Sequence, residues 1–256
     1  MNMDGLDLSI LAPAFLAGLI VLLTHIPLGR EVIRRGIIFI DLAIAQIAGL
    51  GVIVAYQFGW DMHGLEAQIA AVMSALIGAW LLNSLEKKAG KHLEALIGVS
   101  FVLAATASIL MLAHNPHGSE HIKELLVGQI LWVDGSQIIS AALVSAIVVF
   151  IWFNYKNRIG NIGFYTLFAV SITLSVQLIG VYLVFTSLIV PALAVAKYPA
   201  KPALLLAAII GITGYFSGLI VSALFDLPSG AVIVWCLAIS ALVIPVLLSK
   251  LFVTND

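Results

Sequence analysis

An all-α, polytopic integral membrane protein of about eight transmembrane helices, with broken or re-entrant segments among them, is the fold class this sequence predicts. Three observations lead to it. Of 256 residues, 62 % are hydrophobic and only 10 % charged, against roughly 25 % charged in soluble domains. Apolar runs of about 20 residues, the length that crosses a hydrocarbon core of about 30 Å, follow one another with short polar breaks. Lys and Arg crowd into some of those breaks and are almost missing from the others, as expected of loops kept on opposite sides of a membrane. Such a composition excludes soluble enzymes, nucleic-acid binders and disordered scaffolds. The single Cys236 lies in an apolar run and excludes a disulfide framework or a Cys-based metal cluster.

The predicted spans are Leu8 to Leu28, Ile37 to Phe58, Ala67 to Leu85, Ala95 to Ala113, Ser136 to Phe153, Ala203 to Phe225 and Ala231 to Leu248. The leader before Leu8 is acidic, and no small-residue cleavage site follows the first run, so that run is expected to stay as a membrane helix. Gly163 to Ala196 is too long for one helix and short for two, with Pro191 near its end, and Leu125 to Val133 is too short to cross. Both read as broken or re-entrant segments, which a membrane tolerates only where the loose backbone is buried in protein or lines a cavity.

Arg30, Arg34 and Arg35, then Lys87, Lys88 and Lys91, Lys156 and Arg158, Lys197 and Lys201, and Lys250 mark the cytoplasmic loops. Together with Asp4 and Asp7, the loops around Trp60, His117 and Asp226 hold eight of the 13 acids and one cation, Lys123. The N-terminus then faces outward and the C-terminus inward. The stretch Gly163 to Ala196 enters and returns from the cytoplasmic side. The acidic outer face would concentrate cations, although positive-inside biogenesis alone also produces such an asymmetry. No G-x-x-x-x-G-K-[ST] is present, so energy for uphill transport would come from a partner or an ion gradient.

Asp41 is the one acid inside a predicted span, and an intramembrane carboxylate is a functional candidate by default. It stands about 9 Å along the helix from Arg35, so pairing with Arg34 or Arg35, or snorkelling to the interface, is the plainer expectation. Gln46 lies deeper, about 140° round the helix from Asp41. The outer segment from His114 to Glu124 is densest in metal-capable groups. With Asn115 as N-cap and Pro116 opening a helix, His117, Glu120, His121 and Glu124 fall on one face at i, i+3, i+4 and i+7, backed by Ile122, Leu125 and Leu126. Two imidazoles and two carboxylates suit zinc, manganese or iron. Asp61, His63 and Glu66 are weaker candidates. His25 and His92 read as interfacial, Trp60 and Trp152 as belt residues at span ends, and Gly214-x-x-x-Gly218 as a close-contact helix face.

In order along the chain, Arg34-Arg-Gly-Ile-Ile-Phe-Ile-Asp41, Glu94-Ala-Leu-Ile-Gly-Val-Ser-Phe101, Leu126-Val-Gly-Gln-Ile-Leu-Trp-Val133, Gln177-Leu-Ile-Gly-Val-Tyr-Leu-Val with Ser187-Leu-Ile-Val-Pro191-Ala, and Asp226-Leu-Pro-Ser-Gly230 resemble the permease subunits of the metal-ion ABC importers. The resemblance covers about Arg30 to Val234. It implies one transmembrane permease domain over residues 1–256, pairing with a second copy, cytoplasmic ATPase subunits, an extracytoplasmic metal-binding protein and a bacterial plasma membrane setting. It implies no permanently bound cofactor, a divalent metal ion as transported substrate, Asp41 on the metal path, and an ATPase-contacting region around Pro191 to Lys197. The family's Asp-x-x-x-His in the second helix is not kept, since Ala45 follows Asp41 at i+4. The His117 to Glu124 stripe could supply the missing ligands. A secondary cation transporter driven by protons or sodium, with Asp41 titrating, is the alternative reading. An intramembrane enzyme is disfavoured by the scarcity of polar groups within the spans.

Overall fold

The computed structural model describes residues 7–62 and 64–253. Its helices, in chain order, are α1 (Leu8–Arg35), α2 (Ile40–Gln57), α3 (Leu65–Ala89), α4 (Leu93–Leu112), α5 (Gly118–Val127), α6 (Gly135–Tyr155), α7 (Gly160–Ile179), α8 (Val181–Ala194), α9 (Ala200–Phe225) and α10 (Ser229–Val253). Among the described residues the protein is 86 % helix without strands. Eight helices are long and apolar enough to cross a membrane, while α8, with 14 residues, is shorter. The expected class is therefore the observed one.

Short polar signals set the helix ends. Asp7 caps α1 by accepting from the Ser9 amide at 2.8 Å, and Gly36 at φ 69° closes it. Asp134 and Gln137 form a reciprocal capping box at the start of α6. The stretch expected to be broken is two helices, α7 and α8, joined at Gly180 with φ 77°. Its two ends lie together: Asn161 at the start of α7 meets Arg35, and Ala200 just beyond α8 meets Arg30, both from the last turns of α1. The pair thus enters and returns on one side, as the charge pattern requires. At its tip the Gly180 backbone lies against Gly128, which follows α5. A Cβ on Gly128 would sit 2.2 Å from the Ile179 carbonyl carbon, and one on Gly180 would sit 2.3 Å from the Gly128 nitrogen. Here the irregular backbone is buried in protein, where a bilayer permits it.

Lipid tails are as apolar as Leu, so close packing of small residues replaces the hydrophobic drive between membrane helices. In α2, Gly51 meets Ala70 and Ser74 of α3, while Ile47 reaches Gly78. Gly214 and Gly218 of α9 seat against Leu237 and Ile233 of α10, the close contact their spacing predicts. Gly29 of α1 lies against the Leu188 carbonyl of α8, where a Cβ would come within 2.1 Å.

An ionic hub joins the C-terminal ends of α1, α3 and α6 and the start of α7. Glu31, 2 % exposed, accepts from Arg34 Nε at 3.0 Å and Arg35 Nε at 2.8 Å, and Lys156 Nζ lies 3.0 Å away. Asn161 accepts from Arg35 and donates to Glu86. The Arg35 guanidinium lies over the Phe164 ring and the Lys156 ammonium over Trp152, 4.2 and 4.7 Å from the ring centroids.

Two expectations are corrected. His25 is fully buried, with Nδ1 3.1 Å from Thr24 Oγ1, because α1 continues to Arg35 and carries residue 25 into its interior. Trp152 is 4 % exposed. It packs into the core beneath Lys156 instead of standing in a belt.

Gly128→Ala or Gly180→Ala should lower the thermal stability of the detergent-solubilised chain by at least ~1 kcal/mol, the cost of holding a side chain at positive φ with extended ψ, before backbone overlap is added. Glu31→Ala should cost about 2 kcal/mol through lost charge-assisted hydrogen bonds. Arg34→Ala should cost under ~1 kcal/mol because Arg34 is largely exposed. Parallel thermal melts would check both.

Candidate functional site

The outer segment forms a helix, but one that begins later than its sequence predicts. Asn115 Oδ1 accepts from the His117 amide at 2.9 Å, and α5 starts at Gly118 with His117 at its N-cap. The asparagine makes a tight turn ahead of the helix instead of capping it. The stripe of four donors divides in two. His117 and Glu120 pair at 3.0 Å with side chains 70 % and 73 % exposed. His121 Nδ1 lies 3.9 Å from Glu124 Oε2, and the His121 side chain is only 23 % exposed. Its ring stacks at a tilt on Tyr56 of α2, 5.4 Å between centroids, while Asn115 Nδ2 donates to the Tyr56 hydroxyl. Among the described residues no three His, Cys, Asp or Glu side chains group to hold a metal, and the stripe expected on one face supplies two neighbouring pairs in place of one cluster. The physical reason is that α5 lies against the helix bundle on one flank, so its first turn stands in the open and its second faces inward.

His121 and Glu124 line a cavity of about 410 Å³ among α2, α3, α5, α6 and α7. Its other polar walls are Gln68, Gln129, Asp134, Gln137 and Gln177. Gln129 Nε2 donates to Glu124 Oε1 at 2.9 Å, which orients the carboxylate. Sequence reasoning missed these glutamines, since amides scattered over four segments carry no spacing signal. The apolar face of α5 was legible: Ile122, Leu125 and Leu126 line a separate cavity of about 530 Å³, shared with Gln46 of α2.

Asp41 corrects another expectation. It is fully buried and pairs with neither Arg34 nor Arg35, because Glu31 and Glu86 hold those guanidinium groups. Neither Asp41 oxygen has a hydrogen-bond partner. The nearby helix end is already served by Glu94, whose Oε1 accepts from the Phe39 amide at 3.1 Å. Eleven residues further on, three turns up and about 20° round the helix, Val52 lines the outer polar cavity. Asp41 thus lies on the same face of α2, about 16 Å below that cavity, with buried Ala45 and Ala48 between. Gln46 lies on a different face, as its spacing predicts. Its amide borders the apolar cavity.

Of the expected ATPase-contact residues, Lys197 stands on the exposed turn between α8 and α9. Pro191 does not share that surface. It is buried within α8, which packs along α1 and α10, and its ring can be accommodated where a neighbouring helix covers it. Asp61 lies in the loop before α3 and Glu66 in the first turn of α3, both exposed, and His63 is outside the described residues.

Eight helices long and apolar enough to span, one of them joined to the shorter α8 in a broken pair, define a multi-pass membrane protein with a polar cavity at one end. Residues 7–159 and 154–248 match the ABC 3 transport family, and the chain belongs to that family. It is 24 % identical to an uncharacterised membrane protein of Cyanophora paradoxa over 95 % of this chain and 87 % of that one. It is 21 % identical to a Chlamydia muridarum protein named as a metal transport system membrane protein, over 80 % and 78 %. Its fold matches a chain of PsaBC from Streptococcus pneumoniae in complex with Fab at a TM-score of 0.75, with 21 % identity over 94 % and 93 % of the chains. It also matches a metal-chelate type ABC transporter in an inward-facing conformation at 0.66, with 16 % identity over 93 % and 85 %.

Asp134 links the cavity wall to the α6 cap. Hydrogen bonds from the Gln137 amide and the Ser136 hydroxyl hold its carboxyl below the usual range. Such a group stabilises the fold fully above the ordinary value of 3.8 and loses that contribution as pH falls through its lowered one. Asp134→Ala should therefore melt earlier than the parent at pH 7, and the gap should close as pH is taken below 3.8. Melting curves across pH would check this.

Proposed function

We propose that this chain is the membrane permease of an ATP-binding-cassette importer for a divalent transition metal ion. The observation that carries the reading is the half-buried His121–Glu124 pair in a polar cavity, within a chain of a transport family. Imidazole, carboxylate and amide oxygen together accept zinc, manganese and iron, and no choice among them follows from these donors.

In this reading an extracytoplasmic binding protein delivers the ion to the outer face. The exposed His117 and Glu120 meet the ion or the docked protein first, and His121 and Glu124 receive it. Asp41 takes it up lower on the same face of α2, where a desolvated carboxylate with no partner favours a cation. The ion is substrate, and no cofactor is permanently bound. A second copy of the chain completes the permease, and two cytoplasmic ATPase subunits act on the turn that carries Lys197. The setting is a bacterial plasma membrane.

The test is reconstitution of the chain in liposomes with the ATPase and binding protein encoded beside it, followed by uptake of radioactive zinc, manganese and iron. ATP-dependent uptake of one ion, lost without the ATPase, is expected. His121→Ala and Asp41→Asn should each reduce it by about tenfold or more. Uptake by the purified chain alone, driven by a pH or sodium gradient and indifferent to ATP, would replace this reading with a secondary transporter.

A further inference from the structure

The C-terminal end of α1 carries two consecutive residues whose side chains grasp different parts of the bundle. Arg30 Nη1 donates to the Ala200 carbonyl at 2.9 Å, at the start of α9 and immediately past the turn at residues 195–199, of which 196–199 are exposed. Among the described side-chain hydrogen bonds, this is the one joining that turn region to another element. Glu31, the next residue, is the buried acceptor of the hub that gathers Lys156 from the end of α6 and, through Arg35, Glu86 of α3 and Asn161 of α7.

The preceding residue makes this end of α1 a stiff connector. Gly29 lies so close to the Leu188 carbonyl of α8 that a Cβ would come within 2.1 Å, and packed backbones at that separation move together. A displacement of the 195–199 turn therefore has a continuous route: along α8 and through the Arg30–Ala200 bond to α1, then through Glu31 to the C-terminal ends of α3 and α6 and the start of α7. Energetic coupling between separated sites travels through such chains of packed side chains, hydrogen bonds and ion pairs. The helices reached at the far end, α3, α6 and α7, also wall the outer polar cavity together with α2 and α5.

We propose that Arg30 is the positioning residue that couples the 195–199 turn to the transport cycle, with the Glu31 hub distributing its movement to the cavity-lining helices. The inference rests on the permease reading, in which the ATPase presses on that turn. Arg30 touches neither ion nor nucleotide. Its role is to make a push on the turn felt by α1.

The experiment uses the complete transporter, permease with ATPase and binding protein, in proteoliposomes. ATP hydrolysis and uptake of the transported ion are measured together, so that the readout is ATP hydrolysed per ion moved. Arg30→Ala should leave assembly and hydrolysis in place and raise that ratio by about fivefold or more. Arg30→Lys, which keeps a long cationic donor, should recover part of the coupling. An unchanged ratio in Arg30→Ala, with robust uptake by the parent, overturns the linkage and leaves the permease reading standing. No ATP-dependent uptake by the parent overturns both. Arg30→Gln is read in the same way if Arg30→Ala does not assemble. Loss of assembly in both variants assigns Arg30 a purely structural role and overturns the proposal.

Discussion

Inside a bilayer no water is at hand to satisfy a backbone amide or a charged side chain, and this constraint orders the molecule. It makes nearly every segment helical, since a helix closes its own hydrogen bonds. It also restricts where helices can break. The break at Gly180 is backed by Gly128 at van der Waals contact, and its loose backbone is enclosed by α5 and by the start of α10, where Gly230 lies near the Val127 carbonyl. The ionisable groups are drawn to the two ends for the same reason. Glu31, Arg35, Lys156 and Glu86 gather at one end, and the α5 acids and histidines gather at the other.

Asp41 departs from that sorting. A buried carboxylate with no partner is costly in a low-dielectric interior, and its neighbours Arg34 and Arg35 are already committed to Glu31 and Glu86. Tolerated polar groups of this kind in membrane proteins concentrate where ions or protons pass. Its alignment on one face of α2 with Val52 and the polar cavity gives that cost a direction, from the polar cavity toward the end of the bundle that carries the ionic hub. Close packing makes this alignment usable. Gly51 and Gly78 let α2 and α3 approach closely, so the face opposite the apolar cavity is held firmly while the helix still borders both chambers.

Much of this was legible before any coordinates. Apolar run length and the Lys and Arg distribution led to the spans and their sides, and the same-side return of residues 163–196 followed from charge alone. The amphipathic face of α5 and the Gly214-x-x-x-Gly218 contact were legible because helical periodicity is a local property. Other features were not. The division of the His117–Glu124 stripe depends on how α5 lies against α2, and the partnership of Glu31 depends on Lys156, far away in sequence. Pro191 reads as part of a surface region, yet the packing of α8 against α1 and α10 buries it.

The sequence by itself determined the class, the helices and the family resemblance, because each depends on composition and on periodicities of a few residues. The tertiary structure alone decided which polar groups meet. It turned scattered glutamines into the wall of one cavity, denied Asp41 the arginines nearest to it in sequence, and joined Arg30 to Ala200. The physical reason is range. A helix forms from interactions between residues four apart, whereas a site forms where separate helices dock, and that docking is set by the summed packing of many side chains that no local pattern records.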